Sequence, residues 1–136
     1  MEAAAFSFRT YSFDKLLLDF ENLGQEVELA LSFIPSGIFN KKTKSYKLSF
    51  LFTALTKNDN KAVVSVLCNA TFIFSNSIEL NEIPQFFYPN SIAIVYPYIR
   101  AMVSTLTLQA NVKPIILPTM NLSSLGDELR ENTTLA

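Results

Sequence analysis

Apolar and polar residues alternate with a period of two along several stretches of this chain. Val27, Leu29, Leu31 and Phe33 fall on one face, with Glu26, Glu28, Ala30 and Ser32 on the other, which is the pattern of a half-buried strand. Pro35-Ser36-Gly37 predicts its end. After the polar turn Asn40 to Lys44, Tyr46, Leu48, Phe50, Phe52 and Ala54 alternate with Lys47, Ser49, Leu51, Thr53 and Leu55. Lys57-Asn58-Asp59-Asn60-Lys61 places turn-forming residues between two apolar runs and predicts a hairpin. Its second arm, Ala62 to Ser75, sets Val64, Val66, Cys68, Ala70, Phe72 and Phe74 on one face. The opposite face mixes Val63, Leu67 and Ile73 with Ser65, Asn69 and Thr71, so neither is wholly polar and a sheet covered on both sides is expected. An earlier strand is marked by Phe6, Phe8, Tyr11 and Phe13, whose parity changes after Phe8; a bulge would absorb the shift. Leu16 to Gly24 fits either an extended connection or a short helical turn.

The period changes in the second half. Ile78 to Phe87 fits a short helix ended by Pro84. A longer one follows, capped by Asn90 or Ser91, with the stripe Ile92, Val95, Tyr96, Ile99, Val103, Leu106 and Ala110. Pro97 lies within that stripe, so the helix either kinks there or starts its regular part at the proline. Asn111 is placed to close it, and Pro114 and Pro118 predict an extended tail from Lys113 to Leu122.

Composition narrows the function classes. Residues 1–136 read as one domain. Twelve Phe and five Tyr are a large aromatic load for a small monomer, which suggests apolar surface facing a partner. Eleven basic against twelve acidic residues argue against nucleic acid, and the cluster Lys41, Lys42, Lys44 and Lys47 reads as a solvated turn. With no His, His-containing metal sites and the common base of Ser and Cys nucleophiles are absent. Gly24, Gly37 and Gly126 are too dispersed for a phosphate loop. No enzyme, metal or cofactor is expected. The acidic set Asp19, Glu21, Glu26 and Glu28 reads as a solvated face, and Cys68, beside Val66 and Ala70, as a small buried hydrophobe. Ile92 to Leu108 approaches the ~20 residues of a membrane span, but Pro97 and Arg100 interrupt it and a packed helix is preferred to insertion. The start Met1-Glu2-Ala3-Ala4-Ala5 has no basic, apolar leader, so the sequons at Asn69, Asn121 and Asn132 read as chance matches and the cytoplasm as the expected location.

The order of strands, long helix and proline-bounded tail then carries a resemblance. Tyr96-Pro97-Tyr98-Ile99-Arg100, preceded by Pro89-Asn90, resembles the Phe-Pro-Tyr-Ala-Arg that opens the long helix of SecB, the bacterial protein-export chaperone. Met102-Val103-Ser104 and the tail Ile115 to Leu122 continue it without a gap, the latter resembling Leu-Asn-Leu-Ala-Pro-Val-Asn-Phe. Departures are Gln109-Ala110 where SecB has Arg-Gly, the displaced Pro118, an unmatched early acidic motif, and a C-terminal extension reduced to Gly126 to Ala136.

The resemblance implies an α+β fold: a twisted four-stranded antiparallel sheet with the long C-terminal helix on one face, an extended tail, and a homotetramer built as a dimer of dimers. It implies a holdase for unfolded polypeptides in protein export, with SecA as the receiving partner where the shortened extension allows it. The alternatives are a dedicated chaperone of one partner, such as a toxin–antitoxin controller, and a carrier of small hydrophobic ligands. By matched motif, groove residues are Leu117, Met120 and Leu122, with Tyr98 near the helix start. Phe33, Phe39, Phe50 and Phe52 join them on physical grounds, since aromatic side chains bury large areas.

Overall fold

The computed structural model describes residues 5–21 and 28–136. Four long strands, β1 (Phe6–Leu18), β2 (Leu29–Asn40), β3 (Ser45–Thr56) and β4 (Ala62–Phe74), are followed by helix α1 (Phe87–Gln109), helix α2 (Leu122–Glu131) and a short strand β5 (Thr133–Leu135). The sheet order is β1-β4-β3-β2-β5. The first four strands pair antiparallel, while β5 joins β2 in parallel, opposite Gly37, Ile38 and Phe39. The architecture is therefore α+β as expected, with a fifth strand added to the expected four.

Alternation holds where it was strongest. Tyr46, Leu48, Phe50, Phe52 and Ala54 on β3, with Val64, Val66, Cys68, Phe72 and Phe74 on β4, have no exposed surface. In β1 the register shifts after Phe8 and again after Phe13. These two bulges keep Phe6, Phe8, Tyr11, Phe13, Leu16 and Leu18 opposite inward-facing residues of β4, so the ambiguous Leu16–Leu18 stretch belongs to the strand. Gln25, Glu26 and Val27, the expected opening of β2, lie outside the described residues.

The expected stop at Pro35-Ser36-Gly37 is not one: β2 runs on to Asn40. Gly37 is needed because the Tyr46 ring lies against it, and a Cβ there would collide with the phenol. The turn begins at Asn40, whose carboxamide oxygen accepts from the backbone N–H groups of Lys42 (3.0 Å) and Thr43 (3.2 Å).

Helix α1 covers the inner face of the sheet. Its buried stripe runs Phe87, Ser91, Val95, Ile99, Val103 and Thr107, with Tyr88, Ile92 and Tyr96 beside it. Phe87 is the anchor, meeting Tyr46, Phe72 and Phe74 at ring-centroid distances of 4.7, 5.6 and 5.0 Å. Burial of one such side chain contributes roughly 1.5–3 kcal/mol. α1 starts before the expected caps and passes through Pro97, which is exposed; the expected helix upstream of it is one 3₁₀ turn, Leu80–Glu82. Asn111 does close α1: it adopts φ 57°, its N–H bonds the Leu108 carbonyl, and the Val112 N–H bonds that of Thr107, the pairing of a Schellman end. By length and composition α1 would also suffice to cross a membrane, but its apolar stripe is used against the sheet.

The opposite face of the sheet is mixed. Ile34, Leu51 and Leu67 form one row across β2, β3 and β4, and the next is Ser36, Ser49, Asn69 and Ser12. Asn69 holds the second row together, accepting from Ser49 Oγ and donating to the Asp14 carboxylate. The Asn69 bond, with one from Ser12 Oγ at 2.8 Å, holds the Asp14 carboxyl below its ordinary range. Ile34 is 47% exposed and Leu51 and Leu67 are half-buried. Within the described chain, then, the second cover expected for this sheet is not supplied.

Candidate functional site

Pro114 and Pro118 remove two backbone donors from the segment after α1, which therefore runs without regular structure until α2 begins. Two contacts fasten it. Leu117 is buried, with 6% of its surface exposed, and the Tyr96 hydroxyl donates to the Pro118 carbonyl at 2.6 Å. Burial raises the pKa of the Tyr96 phenol, opposed by the nearby Arg100 guanidinium, so the hydroxyl keeps its proton and remains a donor. Asn121 then starts α2 by accepting from the Ser124 N–H at 3.1 Å, and Leu125 and Leu129 turn inward. Gly126 lets α2 approach α1 closely, since a Cβ there would stand 2.9 Å from Pro89 Cδ.

Between α1 and this segment lies a cleft of about 340 Å³. The helix wall is Ala93, Tyr96, Pro97 and Arg100. The other wall is Leu117, Pro118, Thr119, Met120 and Leu122. Leu117 forms a fixed floor, whereas Met120 and Leu122 are half-buried. Because Pro97 has no N–H, the Ala93 carbonyl lacks its usual helical donor, and both residues belong to this wall. The cleft thus offers apolar side chains, one cation and an acceptor without a helical partner, a combination suited to holding an apolar segment with little demand on its sequence.

Of the residues singled out from the sequence, Leu117, Met120 and Leu122 meet here. Tyr98 does not: it stacks on Tyr11 of β1 at 4.1 Å and lies 6.0 Å from Phe8. Phe39, Phe50 and Phe52 are fully buried and belong to the core, which corrects their placement in a groove; they point inward under α1 and present no surface to a partner. Phe33 is intermediate, half-buried against Phe52 at 5.1 Å and Tyr96 at 6.0 Å. Sequence reasoning missed Ala93, Pro97 and Arg100. Their spacing sets them on one helix face beside the apolar stripe, but Pro97 reads from the sequence only as a kink or a helix start and as part of the family motif.

Among the described residues no group of three or more Cys, Asp or Glu side chains is placed to hold a metal ion. Cys68 is buried, and burial pushes its thiol up to about 11. Asp19 faces Lys61 at 3.8 Å on the surface.

No family profile matches the chain. An uncharacterized protein of Methanocaldococcus jannaschii is 40% identical over 58 residues, which is 40% of this chain and 37% of that relative, so the match spans well under half of it. Among solved structures, the Mycobacterium tuberculosis SecB-like chaperone Rv1957, in complex with a peptide from the HigA1 antitoxin, superposes with a TM-score of 0.67 at 16% identity, over 85% of this chain and 88% of that one. An identity that low speaks to architecture alone, and the architecture agrees over nearly the whole of both chains: this chain has the fold of a SecB-like chaperone.

Proposed function

We propose that this protein is a SecB-like chaperone that binds unfolded polypeptide, with the cleft between α1 and the segment 117–122 as part of the binding surface. The observation that carries the reading is the cleft's make-up: half-buried Met120 and Leu122 over a fixed Leu117 floor, with Ile116 87% exposed beside it. A flexible Met and unoccupied apolar surface accept varied side chains. Homotetramer assembly, a cytoplasmic location and delivery of export precursors to SecA belong to the same reading, and the half-exposed row Ile34, Leu51 and Leu67 offers surface for subunit contacts. Aggregation of several unrelated unfolded proteins, followed by light scattering, tests it. Suppression of most of them by the purified protein is expected; unchanged curves for all would remove the reading.

A second reading has one observation in its favour: the solved SecB-like chaperone superposed here holds an antitoxin peptide. On that reading this protein serves one dedicated partner. Recovery of one stoichiometric protein, rather than many clients, in a pull-down from source lysate would select it.

A further inference from the structure

A second opening lies at the other end of α1. It measures about 250 Å³ and is lined by Leu80, Asn81, Ile83, Gln85, Tyr88, Arg130 and Thr133. Gln85, Tyr88 and Arg130 also line an adjoining hollow of about 150 Å³. Tyr88 is 5% exposed, yet among the described residues no protein group takes its hydroxyl in a hydrogen bond, and no buried side-chain oxygen or nitrogen is orphaned. Its hydroxyl is therefore in contact with solvent, and Tyr88 lines both openings. Burial raises the pKa of that phenol and Arg130 opposes the shift, so the donor is protonated and the guanidinium is close by. Thr133 is already committed, donating to the Leu129 carbonyl and paired with Tyr46.

The available groups are one guanidinium, one phenolic hydroxyl and the amides of Asn81 and Gln85, against the apolar wall of Leu80 and Ile83. Donors dominate, so the ligand group must accept. A single cation, with Asp127 3.9 Å from it, suits one negative charge better than a phosphate dianion. The volume falls below the ~300–1,000 Å³ of small-molecule pockets and fits a side-chain-sized group.

We propose that this pocket binds a carboxylate of a bound polypeptide, from a Glu or Asp side chain or a chain end, with Arg130 and Tyr88 as its ligands. The assignment of polypeptide as the source rests on the chaperone reading above; recognition of the carboxylate does not. In an aggregation-prone client it would favour segments where an acidic residue flanks an apolar run.

The test uses full-length protein carrying ¹³C at tyrosine Cζ, with the Tyr88 resonance assigned by its loss in Tyr88→Phe. Three probes are titrated: N-acetyl-glutamate methylamide, N-acetyl-alanine with a free carboxylate, and neutral N-acetyl-glutamine methylamide. At least one carboxylate probe should shift the Tyr88 resonance saturably, and the glutamine probe should not; which acid saturates first identifies side chain or chain end. Arg130→Gln should weaken that binding about tenfold, the order expected for one charge-assisted contact, and Arg130→Lys should restore part of it. Equal shifts with the glutamine probe, no shift with either acid, or a shift unchanged in Arg130→Gln would overturn the proposal. Failure to suppress aggregation would overturn the chaperone reading instead and leave this titration as it stands.

Discussion

The hydroxyl of Tyr96 donates to the carbonyl of Pro118 at 2.6 Å, joining the middle of the long helix to the segment that follows its end. That bond holds the two walls of the cleft together. Tyr96→Phe should lower stability by only about 0.5–1.5 kcal/mol, since water can replace the phenol at an exposed Pro118. Amide exchange at residues 117–122 should nonetheless quicken relative to β3. Exchange unchanged there would mean that Leu117 burial alone fixes the segment.

Met120 and Leu122 are half-buried on the cleft wall, while Leu117 is its floor. Changing Met120 and Leu122 together to Ser should weaken polypeptide binding with the melting temperature nearly intact. Leu117→Ala should instead destabilise the protein by about 2–5 kcal/mol, as a core truncation does. A double variant that melts like the Leu117 variant would assign all three residues to structure. Binding of a labelled unfolded peptide and thermal denaturation of each variant separate these outcomes.

Gly37 has no room for a methyl group because Tyr46 occupies it. Gly37→Ala should destabilise by about 1–3 kcal/mol through overpacking. Since the Gly37 N–H bonds the Asn132 carbonyl and Tyr46 pairs with Thr133, the displaced ring should also loosen β5. Denaturant unfolding reads the first effect, and limited proteolysis after Arg130 the second.

The Cys68 thiol is neutral when protonated, and burial raises its value from 9.0 to about 11 in the folded chain. The folded state therefore holds this proton more tightly than the unfolded state does. Its contribution to stability is complete below about 9 and is lost as pH rises through about 11. Burial of the Tyr46 phenol acts in the same direction. Urea unfolding on both sides of that window should show an alkaline loss that is smaller in Cys68→Ala, and thiol labelling at neutral pH should proceed only as fast as unfolding allows. Rapid labelling of the folded protein would contradict the burial.

How much of this was legible depended on which forces act locally. β3 and β4 could be read because each side chain's direction follows from strict alternation, as from Tyr46 to Ala54 and from Val64 to Phe74. β2 was cut short because Pro35 and Gly37 carry turn signals in isolation; what keeps Gly37 in the strand is the distant Tyr46 ring. α2 has its signals in the sequence, since Asn121 is a good cap and Leu122, Leu125 and Leu129 share a face, but the helix is only ten residues long and carries Gly126 in its middle, so the expected tail stops at Leu122 with no helix assigned after it. β5 carries almost no signal in Thr133-Thr134-Leu135; it forms because the open edge of β2 is already there. In the cleft, the apolar wall was anticipated at Leu117, Met120 and Leu122. The helix wall was not, since Arg100 and Pro97 acquire their role only when the segment folds back beside them.

The two bulges of β1 also govern what this molecule can refuse. An edge strand with an even row of free amides is a template on which like chains stack without limit. Here the pairing of β1 with β4 skips Arg9 and Asp14, so β1 carries an extra residue at each break and its outer edge is not an even row. A strand joining this edge must break step in the same two places and tolerate a charge at each. For a sequence this rich in phenylalanine, that requirement is a safeguard against fibril growth, written into the spacing of one strand.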